Sequence, residues 1–251
     1  STRSGYQDIY VMSADGSAAR NLTQHPPSDF HPAWSPDGSQ LAFATDPGGD
    51  YEIAVKNADG SSPTRRMTAS GFYPAWSPDG SKLAFTTDRD GPTAIHVMEA
   101  DSASDSSLTN RSRSDFDPAW SPDGSKIVFA TRRDGNYEIY LMGADGSSPT
   151  RLTNHPASDL YPAWSPDGTK IAFTSIRDGN REIYVMDADG SSPIRLTNHP
   201  ADDFYPDWQA RAPSRVAPPS PSACQVLEDL LHAEREAITS ALLQLVCLIL
   251  R

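Results

Sequence analysis

A tryptophan returns at nearly constant spacing along most of the chain, and this recurrence limits the possible folds more than any other feature. The successive spacings are 42, 44, 44 and 44 residues. The first four tryptophans begin the string Trp-Ser-Pro-Asp-Gly. A period of about 40–45 residues is typical of propeller blades built from four strands. The recurring residues are Trp34, Trp76, Trp120, Trp164 and Trp208.

One repeat, residues 161–199, predicts four short strands, which we label a to d in chain order. Strand a covers residues 161–164, strand b 170–175, strand c 182–186 and strand d 194–197. Runs of β-branched and aromatic residues between Gly/Pro punctuation favour strands over helices. The Ser-Pro-Asp-Gly string predicts a tight turn, in which Pro sets φ and Gly takes the positive φ.

The apolar residues of strand c occupy both of its faces. Ile183 and Val185 point to one face, and Tyr184 and Met186 point to the other. Apolar residues on both faces indicate that both faces are buried. A two-layer sandwich would leave one polar face on each strand. The pattern therefore predicts an all-β propeller, in which each blade is covered by its two neighbours.

The phase of the repeat predicts how the ring closes. Complete blades start near residues 31, 73, 117 and 161. We expect strands c and d at residues 8–12 and 19–23 to pair with a C-terminal strand a at 204–208, giving a fifth, composite blade without a free edge. Its strand b is missing, and residues 215–217 are the weak candidate for it. The alternative is an excerpt from a longer propeller.

The C-terminal composition divides the chain into three regions: a propeller at residues 1–209, a Pro/Ser-rich linker at 210–222, and an amphipathic helix at 223–251. Leucines in the last region recur at helical spacing. We expect this C-terminal α-helix to pack on the propeller or to associate with a copy of itself.

Charge and hydropathy exclude two classes of partner. The formal net charge is −12, and a phosphate backbone selects clustered Lys and Arg, so we expect no nucleic acid partner. No run of 18 apolar residues occurs, and we expect no membrane span. The chain opens on Ser1-Thr2-Arg3-Ser4 without an export signal, so we expect a processed product or an excerpt.

The repeat resembles the PD40, or WD40-like, repeat of the TolB β-propeller family. The strings that carry the resemblance lie at residues 162–168 (PAWSPDG), 171–175 (IAFTS) and 182–190 (EIYVMDADG). The resemblance implies a non-enzymatic binding module that is periplasmic or extracellular. It also implies a protein partner in the cell envelope, bound at the rim formed by the b–c and d–a loops.

Two alternative functions come from other proteins with similar repeats. One is a metal-dependent polysaccharide lyase of the oligogalacturonate type. The other is a sensor domain detached from a peptidase or kinase. A peptidase of the prolyl-oligopeptidase type requires a Gly-x-Ser-x-Gly nucleophile turn, and this chain contains no such string.

Three sets of recurring residues are candidates for the binding rim. Strand a is innermost in propellers of the resembling type, so residues at its start should approach the mouth of the channel. The favoured interpretation of the Asp and Arg sets is structural, with each pair closing a loop; the alternative is that the rim binds a partner. The sets are Asp29, Asp115, Asp159 and Asp203 before strand a; His31, Tyr73, Asp117, Tyr161 and Tyr205 two residues later; and Arg89, Arg133 and Arg177 in the b–c turns.

Metal binding is the less favoured interpretation of two other patterns. His25, His155 and His199 share one repeat position before Pro, but this position follows strand d, the outer strand, so the three should lie far apart. The recurring Asp-Gly pairs match hairpin turn chemistry better than a calcium loop. We expect no cofactor, although convergent carboxylates could hold one cation on the channel axis.

Overall fold

The computed structural model describes residues 7–24, 28–68, 70–102, 104–109 and 114–208. The chain divides into two compact units, residues 1–208 and 209–251, and all described residues belong to the first. The predicted linker at 210–222, the predicted helix at 223–251 and the candidate strand at 215–217 lie outside the described residues. Within them, every regular element is a β-strand.

Each of four consecutive repeats folds into one antiparallel sheet whose four strands follow chain order. We call these sheets blades 1 to 4. Blade 1 contains β3 (Ser28–Trp34), β4 (Gln40–Asp46), β5 (Glu52–Asn57) and β6 (Arg65–Arg66). Blade 2 contains β7 (Phe72–Trp76), β8 (Lys82–Thr87), β9 (Ala94–Glu99) and β10 (Asp105–Ser107).

Blades 3 and 4 repeat this arrangement, and a smaller sheet precedes blade 1. Blade 3 contains β11 (Asp115–Trp120), β12 (Lys126–Thr131), β13 (Glu138–Gly143) and β14 (Thr150–Arg151). Blade 4 contains β15 (Asp159–Trp164), β16 (Lys170–Ser175), β17 (Glu182–Asp187) and β18 (Ile194–Arg195). The smaller sheet pairs β1 (Tyr10–Val11) with β2 (Arg20–Asn21). The all-β propeller with four-stranded blades is thereby confirmed.

The turn between the first two strands of each blade is closed by its own side chains. In blade 4, Asp167 Oδ1 accepts hydrogen bonds from the Ser165 hydroxyl at 2.7 Å and from the Thr169 amide at 3.0 Å. These bonds lower the pKa of Asp167 to about 2. Gly168 has a φ of 70°, which only glycine adopts without strain. The Asp-Gly pair therefore stabilises the turn: Asp accepts its hydrogen bonds and Gly adopts the positive φ.

The hydrophobic core lies between neighbouring blades. One cluster joins Ala84 and Ile95 of blade 2 to Ile127, Phe129 and Met142 of blade 3. Equivalent clusters join blade 1 to blade 2 and blade 3 to blade 4. Both faces of the middle strands of blades 1 to 3 are buried as a result, because each of these sheets has a neighbour on either side. One phenylalanine per blade is fully buried: Phe43, Phe85, Phe129 and Phe173.

Three of the repeated tryptophans connect adjacent repeats by hydrogen bonds, whereas the buried Nε1 of Trp164 has no partner among the described residues. The indole Nε1 of Trp76 donates to the Ala33 carbonyl at 3.2 Å, and that of Trp120 donates to the Ala75 carbonyl at 3.2 Å. Trp208 donates to the Ala163 carbonyl at 3.1 Å. The tryptophan period is therefore the period of a contact between blades.

The two ends of the described chain meet near the centre, but the structure does not establish the predicted fifth blade. The sheet of β1 and β2 packs on blade 1 through Ile9 and Leu22. Residues 204–208, where we predicted a closing strand a, contain no assigned strand. The ring of Tyr205 nevertheless lies 6.3 Å from that of His31. Five blades and strand pairing at the closure stay predictions.

Candidate functional site

The first strand of each blade contains a β-bulge whose residue before proline has left-handed backbone geometry. In blade 2 the pairing register shifts between Phe72 and Ala75, so Tyr73 and Pro74 fall inside the bulge. Proline disfavours the helical region for the residue before it, and positive φ is uncommon for side-chain-bearing residues. The five equivalent φ values are 49° for His31, 54° for Tyr73, 55° for Asp117, 54° for Tyr161 and 59° for Tyr205.

These five residues before proline, which we call the rim residues, surround one central cavity of about 430 Å³. Each is followed by a proline that also lines the cavity, and Asp207 completes the lining. Backbone strain repeated at equivalent positions is a recognised feature of ligand-binding surfaces. The bulge keeps the same position in each repeat while the side chain changes among His, Tyr and Asp.

The aromatic rim residues contact one another in two pairs. The ring centroids of His31 and Tyr73 lie 4.0 Å apart, and those of Tyr161 and Tyr205 lie 4.1 Å apart. Both pairs are tilted, at 37° and 42°. The cavity therefore has aromatic walls, and Asp117 provides the single carboxylate among the rim residues.

Asp117 is buried without a compensating positive charge in the lining of the cavity. Its exposed fraction is 9%. The amide of Tyr161 donates a hydrogen bond to its carboxylate, while Oδ1 has no hydrogen-bond partner among the described residues. Burial raises the pKa of Asp117 to about 7, because desolvation disfavours the charged form.

The pKa values of His31, Tyr73 and Tyr161 are shifted in the direction that favours the neutral form. Burial lowers the pKa of His31, and its buried Nδ1 has no partner among the described residues. Burial raises the pKa of Tyr73, and the nearby Asp117 and Tyr205 raise it further. Burial likewise raises the pKa of Tyr161. Burial is the main cause of all three shifts.

The four aspartates predicted two positions before the rim residues do not line the cavity. Three of them, Asp29, Asp115 and Asp159, lie at or near the start of the first strand of their blade. Asp115 and Asp159 are fully buried. Arg133 Nη2 lies 3.4 Å from Asp115 Oδ1, and Arg177 Nη2 lies 2.9 Å from Asp159 Oδ2. These contacts match the structural interpretation, in which an Asp–Arg pair closes each loop.

The two remaining aspartates of that series anchor the same loop through the backbone. The amide of Asp29 donates to the Gln7 carbonyl at 2.6 Å, and the amide of Asp203 donates to the Arg181 carbonyl at 2.8 Å. Asp29 is 3% exposed. The structure thus separates the predicted set: the rim residues reach the cavity, and the Asp and Arg residues support the loops behind it.

Blade 2 departs from this pattern at Gly71, which replaces the loop aspartate. A Cβ atom at Gly71 would lie 2.9 Å from Ile53 Cγ1 and 3.0 Å from Phe85 Cδ2, so the position has no room for a side chain. Arg89 forms an ion pair with Asp105 instead. The buried His96 also contacts Asp105, at 3.0 Å. The sequence did not point to Asp105 and His96. The only signal was Arg89, because blade 2 has Gly71 at the position where blades 3 and 4 have the aspartate that pairs with this arginine.

The recurring histidines have structural hydrogen bonds where the structure describes them. The amide of His155 donates to Glu138 Oε1 at 3.0 Å, and Nδ1 of His155 accepts from the Ala157 amide at 3.1 Å. His199 repeats both contacts. His25 lies outside the described residues. No group of three or more His, Cys, Asp or Glu placed to hold a metal occurs among the residues that the structure describes.

Comparison with protein families identifies the repeat. Residues 66–155 match the TolB beta propeller domain family, PD40. Residues 138–217 match the Tricorn protease N-terminal beta propeller domain family. The two matches overlap and together cover residues 66–217.

Comparison with solved structures returns propellers of several kinds. TolB from Acinetobacter baumannii is 24% identical with a TM-score of 0.68, covering 78% of this chain and 50% of that one. The structure of putative TolB from Agrobacterium tumefaciens is 25% identical with a TM-score of 0.57, covering 76% of this chain and 88% of that one. This chain therefore spans half the length of the first relative.

An enzyme also shares the fold. Oligogalacturonate lyase in complex with manganese is 17% identical with a TM-score of 0.60, covering 80% of this chain and 61% of that one. At this identity the likeness concerns the fold alone. Separately, the described residues contain no helix with the length and hydrophobicity that a membrane-spanning segment requires.

Proposed function

The chain contains a TolB-like β-propeller, and from this premise we propose that it is a non-enzymatic binding module whose rim receives a protein partner in the cell envelope. The observation that carries the proposal is the ring of five left-handed residues before proline around one cavity. The scaffold repeats, while the side chain presented to the cavity differs from blade to blade. Specific recognition needs this combination of a rigid frame and varied contacts.

The chemistry of the rim suits a protein surface. Three of the five rim residues are tyrosines, and tyrosine is enriched among residues that dominate binding energy at interfaces. Tyr205 is 47% exposed, so its ring is available to a partner. The neighbouring Phe204 is 49% exposed and extends the apolar surface. Buried Asp–Arg pairs hold the loops beneath, which limits the entropy lost on binding.

The alternative of a metal-dependent lyase has no supporting observation among the described residues. His155 and His199 have their Nδ1 atoms engaged by backbone amides, and the cavity lining contains one histidine, His31. The envelope location and the protein partner rest on the resemblance to TolB. A sensor domain detached from an enzyme stays a prediction.

A pull-down from a periplasmic extract tests the proposal. The rim variant carries Asp117→Ala, Tyr161→Ala and Tyr205→Ala. The control variant carries Lys82→Ala, Glu99→Ala and Asp187→Ala. These three exposed residues belong to surface ion pairs and lie at the strand ends that face away from the rim. We expect at least one protein to be retained by the wild type and the control and lost with the rim variant. Identical sets of proteins for all three would overturn the proposal.

A further inference from the structure

We infer that the central cavity binds an alkylammonium group, such as the side chain of a lysine on a protein partner, with Asp117 as its anionic contact. The inference rests on the proposed function, since it assigns the chemistry of the group that the rim would receive. It follows from three features of the cavity: an unsatisfied carboxylate, aromatic walls, and a lining without a positive charge.

The first feature is the unsatisfied carboxylate. Asp117 is 9% exposed, and its Oδ1 has no hydrogen-bond partner among the described residues. A buried carboxylate oxygen without a donor is costly, and most buried polar atoms in native proteins are paired. His31 Nδ1 is a second unpartnered atom of the same lining, and in one tautomer it is an acceptor. An ammonium group has three donors and no acceptor, so it can supply the hydrogen bond that Asp117 Oδ1 lacks.

The second feature is the aromatic wall. The rings of Tyr73, Tyr161 and Tyr205 line the cavity beside Asp117. Aromatic faces attract cations, and the attraction strengthens when the site excludes water. A carboxylate surrounded by aromatic rings therefore favours an organic cation over an anion or a neutral group.

The third feature is the composition and size of the lining. It contains no Lys or Arg, and its carboxylates are those of Asp117 and Asp207. Two carboxylates fall short of the six or more oxygen ligands that Ca²⁺ takes. The volume of about 430 Å³ accommodates an alkyl chain together with its charged head. The net charge of −12 would also attract a basic partner.

Calorimetric or NMR titration with Nα-acetyl-lysine methylamide tests the inference, because the side chain supplies the only ammonium of that probe. The neutral control is Nα-acetyl-norleucine methylamide, which has a similar alkyl chain. Butylguanidinium and CaCl₂ are titrated separately as competing kinds of cation. We expect the lysine probe to bind and the norleucine probe not to bind. Tighter binding of butylguanidinium or Ca²⁺ than of the lysine probe would overturn the assignment to an ammonium group.

Two isosteric variants separate the site from the general charge of the protein. Asp117→Asn and Asp207→Asn each remove one negative charge from the same lining. We expect Asp117→Asn to weaken binding about tenfold or more, the size of a lost charge-assisted hydrogen bond, and Asp207→Asn to change it little. Equal losses would contradict the inference. Tyr205→Leu provides a third test, because it removes one aromatic face at an exposed position while Asp117 stays in place.

The pH dependence of binding gives an independent readout. Binding of the cation needs the ionised carboxylate, so the affinity should rise about tenfold from about pH 6 to about pH 8 if the pKa of Asp117 is about 7. The other titratable groups of the lining are His31, Tyr73, Tyr161, Tyr205 and Asp207. The positive charge of Arg181 acts to lower the pKa of Tyr161. The rise should disappear in Asp117→Asn, and its persistence there would contradict the inference.

The two proposals fail in distinguishable ways. If the lysine probe does not bind but the rim variant still loses a partner in the pull-down, the ammonium assignment fails and the binding module stands. If the probe binds but the pull-down shows no rim-dependent protein, the cavity chemistry holds and the proposed function fails.

Discussion

Arg177 donates two hydrogen bonds to the fully buried Asp159, with Nη2 at 2.9 Å from Oδ2 and 3.1 Å from Oδ1. The guanidinium also stacks on the ring of Tyr184, 4.5 Å from its centroid. The pair joins the turn between the middle strands to the first residue of β15, the first strand of blade 4. Blade 3 repeats it with Arg133 and Asp115. The loops beneath the rim are therefore fixed by ion pairs.

Replacing this buried aspartate should destabilise the protein strongly. Asp159→Ala leaves the guanidinium of Arg177, whose side chain is 15% exposed, without its carboxylate. Breaking a buried ion pair from one side costs about 3–5 kcal/mol. Chemical denaturation measures the free energy of unfolding. Asp187→Ala is the matched control. Its side chain is 37% exposed and that of its ion-pair partner Lys170 is 45% exposed, so we expect a much smaller loss. Similar losses for both variants would contradict the prediction.

The indole hydrogen bond between blades should make a measurable contribution. Trp76→Phe keeps most of the ring but removes the donor to the Ala33 carbonyl, so we expect a loss of about 1 kcal/mol in the free energy of unfolding. Trp34→Phe is the control, because Trp34 is 51% exposed, and we expect a change within about 0.5 kcal/mol. A larger effect at Trp34 than at Trp76 would show that the blade contact is unimportant.

Gly71 should tolerate no side chain. Gly71→Ala places a Cβ against Ile53 and Phe85 at 2.9 and 3.0 Å, and overpacking of this kind costs about 1–3 kcal/mol. Gly48→Ala is the control, since a Cβ there meets nothing within 4 Å. Thermal unfolding of the two variants compares them directly. We expect a lower Tm for Gly71→Ala alone, and an unchanged Tm would refute the steric explanation for the missing loop aspartate of blade 2.

Asp117 should make stability fall as pH rises. Its pKa rises from 3.8 to about 7 on folding, so the folded state binds the proton more tightly. The contribution of this group to stability is greatest below the unfolded pKa and is lost as pH rises through about 7. A shift of this size corresponds to about 4 kcal/mol. Asp117→Asn removes the dependence, so it should stabilise the protein, and more at pH 8 than at pH 5.

Chemical denaturation of the wild type and Asp117→Asn at both pH values measures this difference. Burial lowers the pKa of His31, and this histidine is present in both proteins, so its contribution cancels in the comparison. A stabilisation by Asp117→Asn that is the same at both pH values would show that the carboxylate does not titrate in this range.

The local features of the fold were predictable because their causes lie within a few residues. The strand boundaries predicted at residues 170–175 and 182–186 match β16 and β17 within one residue, since the Ser-Pro-Asp-Gly turns and the apolar runs are encoded side by side. The strand predicted at 161–164 ends correctly, but β15 begins two residues earlier, at Asp159. The end of the last strand was less accurate: β18 ends at Arg195, whereas the prediction extended it to residue 197. Outer strands have a partner on one side only, so apolar pattern constrains them least.

The repeat, the turns and the burial of both sheet faces follow from the sequence alone, because each depends on short-range periodicity. Long-range contacts in the folded chain determine which recurring residues reach the cavity. His31 and its equivalents line the cavity, while Asp115 and Asp159, two positions before rim residues, contact Arg133 and Arg177 instead. The tertiary structure also brings Tyr205 beside His31, and Asp105 beside Arg89. Tyr205 and His31 are far apart in the chain. Asp105 pairs with Arg89 because blade 2 has Gly71 in place of the loop aspartate. No local sequence pattern encodes either contact.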